Sequence, residues 1–215
     1  MLKVWGRKNS LNVQKVMWLV GELGLPHEHI IAGGPFGKLN EPEFGRLNPH
    51  RRIPVVEDGN LAVWESQAIL RYLAAKYSDG DLWRKDAAAR APIDGWMDWA
   101  LTVFQPDFIM GIFMGYYRTP VAQRNPEAIR KAVDKCADHI RLLDGALAGK
   151  AFLTGDHFSL ADIPAGSVLY RYYDLDIERP KAPNVEAWYR RLQERPAYRE
   201  HIMLDYSEFK ERLVY

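Results

Sequence analysis

The sequence predicts a small α/β domain followed by an all-α domain, and two observations carry this prediction. Residues 1–77 alternate short strand-like runs with segments of helical apolar spacing, whereas residues 86–215 contain helical patterns and no convincing hairpin. Between them, the polar segment at residues 78–81 (Ser-Asp-Gly-Asp) has the composition of a linker. We therefore place the α/β domain at residues 1–78 and the all-α domain at residues 86–215.

The first half is predicted to follow the order βαβαββα, which gives a right-handed βαβ unit extended by a hairpin. We expect Asn12 to cap the first helix. The last helix begins near Glu65, and its spacing predicts buried positions at Ile69, Tyr72, Leu73 and Tyr77. The other predicted elements are strands at Leu2–Gly6 and Glu28–Ile31, a short helix at Pro42–Leu47, and a hairpin at Val55–Val63.

The second half begins with a long helical pattern over residues 86–118. Its apolar stripe runs through Trp96, Trp99 and Val103. Pro106 lies within this pattern and should kink or break the helix, because proline lacks the donor that a helix interior needs.

Further helices follow in the second half. Pro126 opens one that is expected to stop at Gly149, and Ser159-Leu160-Ala161-Asp162 has the pattern of a capping box that opens the next. Two more helices are predicted at residues 185–194 and 197–210.

Composition excludes several classes of protein. Apolar residues make up 47% and charged residues 27%, as in an ordinary soluble globular protein. The net charge of +1 argues against a dedicated nucleic-acid binder. The N-terminus reads as a short strand without the apolar run of a signal peptide, so no signal peptide is expected, and no segment approaches the roughly 20 apolar residues that a membrane span needs. We therefore expect a cytoplasmic protein with neither nucleic acid nor membrane as a partner.

The single cysteine and the histidine pair at positions 27 and 29 are interpreted as structural. Cys136 lies in the middle of a predicted helix, where packing is the expected role, and one cysteine cannot form an internal disulfide. His27 and His29 would share one face of a strand, but the sequence offers no recognisable third ligand, so no metal is expected.

The stretch from Asn48 to Gly59 places unusual constraints on the local backbone, and so does the helix start that follows. Pro54 cannot donate to a strand ladder, so it belongs at the start of the strand, where the peptide groups of Ile53 point outward. Glu65 and Ser66 open a helix whose free amides attract a carboxylate. This combination predicts a binding site for a small peptide. The arginines at positions 51 and 52 either contact an anionic ligand or are solvated loop charges.

The loop after the first strand places Ser10 and Asn12 beside a helix N-terminus. A thiol held there would meet hydrogen-bond donors and the positive end of a helix dipole, both of which favour the thiolate. The structural alternative is that Ser10 and Asn12 only satisfy the turn and the helix cap.

With these motifs in order, the chain resembles the cytosolic glutathione transferase superfamily over essentially its whole length. The resemblance rests on Ile53-Pro54, Glu65-Ser66 and the capping box at residues 159–162. It implies the glutathione transferase fold, a thioredoxin-like N-terminal domain followed by an all-α domain. It also implies a cis bond before Pro54 and glutathione as co-substrate, with no metal. The absence of Tyr and Cys from residues 1–20 makes the chain similar to bacterial theta-like or nu-like members.

The resemblance also implies roles for individual residues. The main chain of Ile53 would pair with the cysteinyl part of glutathione, while Glu65 takes the ammonium and Ser66 the carboxylate of the γ-glutamyl end. Ser10 aligns with the theta-like serine, and Asn12 with an asparagine of other bacterial members. Further contacts are assigned to Arg52 and Arg51 near the glycyl carboxylate, to Lys38, and to Asp98, which would reach the glutathione of the partner in a homodimer.

The implied activity is conjugation of glutathione to a hydrophobic electrophile. Two alternatives stay open: a glutathione-dependent peroxidase or disulfide reductase of the same fold, and a non-catalytic interaction protein. The intact Ile53-Pro54 and Glu65-Ser66 pairs argue against the non-catalytic alternative.

Overall fold

The computed structural model describes residues 1–213. It divides into two compact units, of which the first contains residues 1–83 and 196–204. The second contains residues 84–195 and the segment from residue 205 onward. The domain limits at residues 78 and 86 stay a prediction. Within residues 1–213, no helix is long and apolar enough to cross a membrane.

Residues 1–213 contain four strands and eight α-helices, besides shorter or wider helical turns. The strands are β1 Leu2–Trp5, β2 His27–Ile30, β3 Val55–Asp58 and β4 Leu61–Trp64. The helices are α1 Leu11–Glu22, α2 Pro42–Leu47, α3 Ser66–Tyr77, α4 Ala87–Trp99, α5 Pro126–Ala146, α6 Asp162–Asp174, α7 Pro183–Gln193 and α8 Pro196–His201. A mixed α/β unit followed by a helical unit confirms the predicted fold class.

The first unit is built on a four-stranded sheet in the order β2-β1-β3-β4. Strand β1 pairs in parallel with β2 and antiparallel with β3, and β3 pairs antiparallel with β4. The β1–β2 pair is the predicted βαβ unit, and β3–β4 is the predicted hairpin. Gly59 closes the hairpin with φ of +62°, a conformation that favours glycine.

Helix α3 starts where the sequence predicts, but its last aromatic residue is not buried. Ile69 and Leu73 are fully buried, whereas Tyr77 is exposed, which corrects the prediction for this position. The hydroxyl of Tyr77 donates a 2.6 Å hydrogen bond to Asp58, which also accepts from Tyr72 and Lys76. The polar group at the tip of the ring therefore keeps this end of the helix at the surface.

The C-terminal segment contributes α8 to the first unit. The ring of Tyr198 packs edge-on against Trp18 of α1 at 4.8 Å, and Gly21 leaves room for this contact because a Cβ there would lie 2.8 Å from the Cβ of Ala197. The helix predicted at residues 197–210 is too long, since α8 ends at His201. Asp205 accepts hydrogen bonds from the main chain and hydroxyl of Ser207 and starts a separate turn.

In the second unit, α4 continues into two π-helical segments, Ala100–Phe104 and Asp107–Arg118. Pro106 keeps helical dihedral angles (φ −59°, ψ −44°), so of the predicted kink or break, the break does not occur. The wider π turns on both sides of Pro106 accommodate a residue that cannot donate.

The buried stripe of this long helical run also differs from the prediction. It passes through Ile93, Met97, Ala100, Phe104 and Phe108. The tryptophans at positions 96 and 99 lie partly exposed beside it, so their size misled the sequence interpretation.

The capping box predicted before α6 is present in part: its aspartate bonds as expected, but Ala161 rather than Ser159 is the N-cap, because the helix begins at Asp162. Asp162 accepts a 2.9 Å hydrogen bond from the main-chain N–H of Ser159, and the Ser159 hydroxyl accepts one from Ala161 N–H. Asp162 is completely buried and also accepts from Leu153 N–H and Trp188 Nε1. This one carboxylate therefore ties the start of α6 to the preceding turn and to α7.

Candidate active site

Ser10 lies at the N-terminus of α1, as the sequence predicts, but it rather than Asn12 occupies the N-cap position. Its backbone is extended (φ −79°, ψ 121°), its carbonyl accepts from Gln14 N–H, and its hydroxyl makes no capping hydrogen bond. The prediction that Asn12 caps the helix is wrong, because the helix already begins at Leu11. Ser10 caps through its backbone alone, so its half-buried hydroxyl is not used by the helix.

Asn12 lies in the first turn of α1 and is bound to a lysine one turn on. The Nζ of Lys15 donates a 3.0 Å hydrogen bond to Asn12 Oδ1. Lys15 is completely buried, and burial lowers the pKa of its ammonium group to about 7, while the negative charge of Glu65 opposes this shift. The N-termini of α1 and α3 are therefore electrostatically coupled through Lys15.

Glu65 and Ser66 stand at the start of α3, and Glu65 has a strained backbone. Its φ of +67° lies in the left-handed region that residues with a side chain rarely adopt. Its carbonyl accepts from Ile69 N–H, so it occupies the N-cap position, while Ser66 is buried as the first helical residue. Backbone strain of this kind is concentrated at functional sites, which supports a functional role for this helix start.

Asn48 organises the turn that leads into Ile53 and Pro54. The buried Asn48 amide donates to the carbonyl of Arg52 at 2.8 Å, and its oxygen accepts from His50 N–H. The Ile53-Pro54 bond is cis, as predicted. Pro54 is buried and Ile53 half-buried, immediately before β3. The peptide groups of Ile53 are thus held by the turn before them and the sheet after them.

Arg51 and Arg52, both exposed, differ in what they contact. The Arg51 guanidinium donates to the carbonyls of Leu39 at 2.8 Å and Glu41 at 3.2 Å. It therefore ties the loop before α2 to the turn before β3. Lys38 lies in that loop, exposed and with φ of +69°, and lines a cavity of about 580 Å³ together with residues of the same loop.

Known protein families match this chain in two parts, one toward each end of the sequence. Residues 9–76 match the family model of the glutathione S-transferase N-terminal domain, and residues 93–196 match that of the C-terminal domain. Glutathione S-transferase GstB of Escherichia coli K12 is 39% identical over 209 residues, which are 96% of this chain and 100% of GstB. The chain belongs to the glutathione S-transferase family.

Two further relatives of this transferase extend the comparison. Glutathione S-transferase 3 of Zea mays is 30% identical over 94% of this chain and 93% of its own length. The theta class glutathione S-transferase from the citrus canker pathogen Xanthomonas axonopodis pv. citri was solved with glutathione bound. It is 41% identical, with a TM-score of 0.88, and the match covers 95% of this chain and 98% of that one.

The structure gathers most of the predicted site residues of this transferase into one unit. Ser10, Asn12 and the residues proposed at positions 38, 51–54, 65 and 66 all belong to the first unit, whereas Asp98 lies exposed on α4 of the second. Sequence reasoning missed Asn48 and Lys15. For Lys15 the sequence did contain a signal, because a lysine stands among the apolar residues of the buried face of α1.

Cys136 has the packing role that the sequence predicts. The side chain is completely buried on α5, and burial raises the pKa of its thiol to about 12. The thiol is therefore protonated at neutral pH, which leaves the transferase without a reactive cysteine of its own.

Proposed function

We propose that this transferase binds glutathione in its first unit and activates the thiol as a thiolate, which attacks a hydrophobic electrophile. The observation that carries the proposal is the arrangement of Ser10, Asn12 and Glu65 at the N-termini of α1 and α3. The relative solved with glutathione bound supports glutathione as the co-substrate. In the reaction the thiol releases its proton to solvent, a sulfur–carbon bond forms, and the leaving group departs with the electron pair of its bond.

The activation has a defined energetic scale. A free thiol of this kind has a pKa near ~8.5 and is mostly protonated at neutral pH. Lowering the pKa by about two units makes most of the bound thiol nucleophilic and requires ~3 kcal/mol of differential stabilisation. Hydrogen bonds from one or two neutral donors, together with the positive end of the α1 dipole, supply a stabilisation of this size.

The proposed binding contacts follow the geometry of the site. The main-chain groups of Ile53 beside Pro54 pair with the cysteinyl part of glutathione, and Ser66 at the start of α3 takes the γ-glutamyl carboxylate. Arg52 is the proposed contact of the glycyl carboxylate. Arg51 and Lys38 contribute less directly, because the Arg51 guanidinium is already bound to the carbonyls of the loop that carries Lys38. No metal is required by this chemistry.

Conjugation of glutathione to a nitro-activated aryl halide, followed by the absorbance of the thioether product, tests the proposal. We expect turnover together with retention on immobilised glutathione. Turnover of an organic hydroperoxide or a mixed disulfide without conjugation would favour the peroxidase or reductase alternative. Failure of both retention and turnover would favour a non-catalytic interaction protein.

Replacement of Glu65 by alanine tests the ammonium contact. We expect the KM for glutathione to rise roughly 10- to 100-fold, as for loss of one charge-assisted hydrogen bond, with a much smaller change in the KM for the electrophile. The contact lies far from the reacting sulfur and contributes mainly uniform binding. Steady-state kinetics with each substrate varied in turn measure both constants. Glu28→Ala, at an exposed position of β2, is the control, and equal effects on both substrates would contradict the assignment.

We also propose that the transferase is a cytoplasmic homodimer that acts in detoxification. Helix α4 supports the dimer, since the alanines of its first turn are exposed and Trp96 and Trp99 are only partly buried. Asp98 on the exposed side of α4 is the residue proposed to reach the partner's glutathione. Sedimentation at micromolar concentration should give about 50 kDa, twice the chain mass of 24.8 kDa. A species of 24.8 kDa under these conditions would exclude the dimer.

A further inference from the structure

Lys15 is an unusual residue for the apolar face of α1. Its side chain is completely buried, as are those of Val13, Val16 and Leu19 on the same helix. Lysine almost always carries its ammonium group to solvent, because burying an unpaired charge is strongly unfavourable. A buried lysine therefore needs specific partners.

Two residues of the proposed glutathione site interact with Lys15. Its Nζ donates to Asn12 Oδ1 at 3.0 Å, one turn toward the N-terminus of α1. Glu65, at the start of α3, is the acidic residue whose charge favours the ammonium form. Lys15 thus interacts with a residue at each of the two helix N-termini proposed to bind the cysteine and the ammonium of glutathione.

The hydrogen bond to Lys15 decides which way the Asn12 amide faces. An asparagine side chain carries an acceptor oxygen on one side and a donor NH₂ group on the other, and the Nζ of Lys15 donates to the oxygen. With its oxygen held by Lys15, the Asn12 amide presents N–H groups in the direction away from Lys15. The reversed amide would place an oxygen there, which repels a thiolate.

We propose that Lys15 is a positioning residue of this transferase, holding the Asn12 amide with its N–H groups directed toward the glutathione sulfur. The inference rests on the proposed function, and it gives Asn12 the part of a second thiolate donor beside Ser10. Lys15 acts through Asn12 and does not contact the substrate.

Lys15→Met removes the ammonium group and keeps the length and apolar stem of the side chain. We expect the apparent pKa of bound glutathione, followed by thiolate absorbance, to rise by about one unit, since one anchored donor is lost. Turnover at neutral pH should fall roughly tenfold, with a smaller change in the KM for glutathione. Removing one partner of a buried interaction costs stability, so circular dichroism checks that the variant folds before the thiol pKa is compared. Lys76→Met on α3, whose Nζ contacts Asp58, is the matched control and should leave the thiol pKa unchanged.

Two further variants separate positioning from other roles. In an Asn12→Ala background, Lys15→Met should cause no further rise in the thiol pKa, because the residue through which Lys15 acts is already absent. Lys15→Arg should keep the thiol pKa near that of the wild type, since a guanidinium group also only donates. Additive effects of Lys15→Met and Asn12→Ala would overturn the positioning role in favour of a direct charge effect.

Failure of this inference is distinguishable from failure of the proposed function. If wild type forms bound thiolate and conjugates glutathione but Lys15→Met leaves the thiol pKa unchanged, Lys15 is structural and the inference is wrong. If wild type shows neither thiolate nor conjugation, the proposed function itself fails. Should Lys15→Met not fold, Lys15→Leu, which also lacks a donor, takes its place in the same measurement. A thiol pKa raised by about one unit would support the role, and a wild-type value would refute it.

Discussion

Replacement of Ser10 by alanine is expected to lower turnover at saturating glutathione roughly 10- to 1,000-fold, the range for loss of one donor at an anionic site. The physical reason is that the Ser10 hydroxyl stands at the N-terminus of α1 without capping the helix, so it can rotate toward an incoming sulfur anion. The apparent pKa of bound glutathione should rise toward that of the free thiol. Affinity for glutathione should change little, since the rest of the tripeptide keeps its contacts. Thiolate absorbance against pH measures the shift.

A matched set of variants makes the Ser10 prediction discriminating. Ser78→Ala removes a serine at the opposite end of α3, where the hydroxyl donates to the carbonyl of Ala74, and should leave the thiol pKa unchanged. Asn12→Ala should give a smaller shift than Ser10→Ala. If Ser10→Ala is silent and Asn12→Ala produces the large shift, their roles are reversed. If both are silent, activation comes from main-chain amides and the helix dipole alone, and the assignment of both residues is wrong.

Replacement of Asp162 by asparagine is expected to be the most destabilising single substitution among those considered, by about 3 kcal/mol. One carboxylate oxygen accepts from Leu153 N–H and Trp188 Nε1, both at 3.0 Å, and the other accepts from the N–H of Ser159 at 2.9 Å. An asparagine of the same size must turn its NH₂ group toward donors in either orientation. Urea unfolding of the full chain, followed by circular dichroism, measures the loss.

The control for Asp162 is an aspartate of the same unit that is exposed. The Asp138 side chain is 76% exposed and pairs with Arg141 three residues on, so Asp138→Asn should change stability by less than about 0.5 kcal/mol. A loss at Asp162→Asn no larger than this would show that the buried carboxylate is dispensable for the fold.

The pH dependence of stability offers a second measurement on Asp162. Burial raises the pKa of this carboxyl group to about 6, although four hydrogen bonds act in the opposite direction. The folded state therefore holds the proton more tightly than the unfolded state, and stability falls as pH rises from about 4 to 6. The contribution of Asp162 to that slope should be absent from Asp162→Asn.

Elements with strong local signals were predictable from the sequence. Helix α2 has the predicted limits Pro42–Leu47, and its start is predictable because proline is favoured in the first turn of a helix. The hairpin β3–β4 lies where glycine at position 59 permits a tight turn. The capping box before α6 is likewise encoded by two residues three positions apart.

Elements at which several groups compete for the same position or hydrogen bond were not predictable. Ser10 and Asn12 are both good helix caps, and the sequence alone does not show that the Asn12 oxygen is held by Lys15. Tyr77 has the spacing of a buried residue, yet it lies at the surface, where its hydroxyl donates a hydrogen bond to Asp58, 19 residues away. Pro106 would end an isolated helix, but the π turns around it keep the run helical.

The sequence by itself determined the fold class, the family and the pair of motifs at Ile53-Pro54 and Glu65-Ser66, because each rests on neighbouring residues whose backbone demands are local. Only the tertiary structure decided which of these groups are already engaged. In the folded chain, the Arg51 guanidinium is bound to a loop, the Ser10 hydroxyl makes no capping hydrogen bond, and the buried Lys15 interacts with Asn12 and Glu65. The free energy of a buried charge depends on what lies around it in three dimensions, and spacing along a chain does not carry that information.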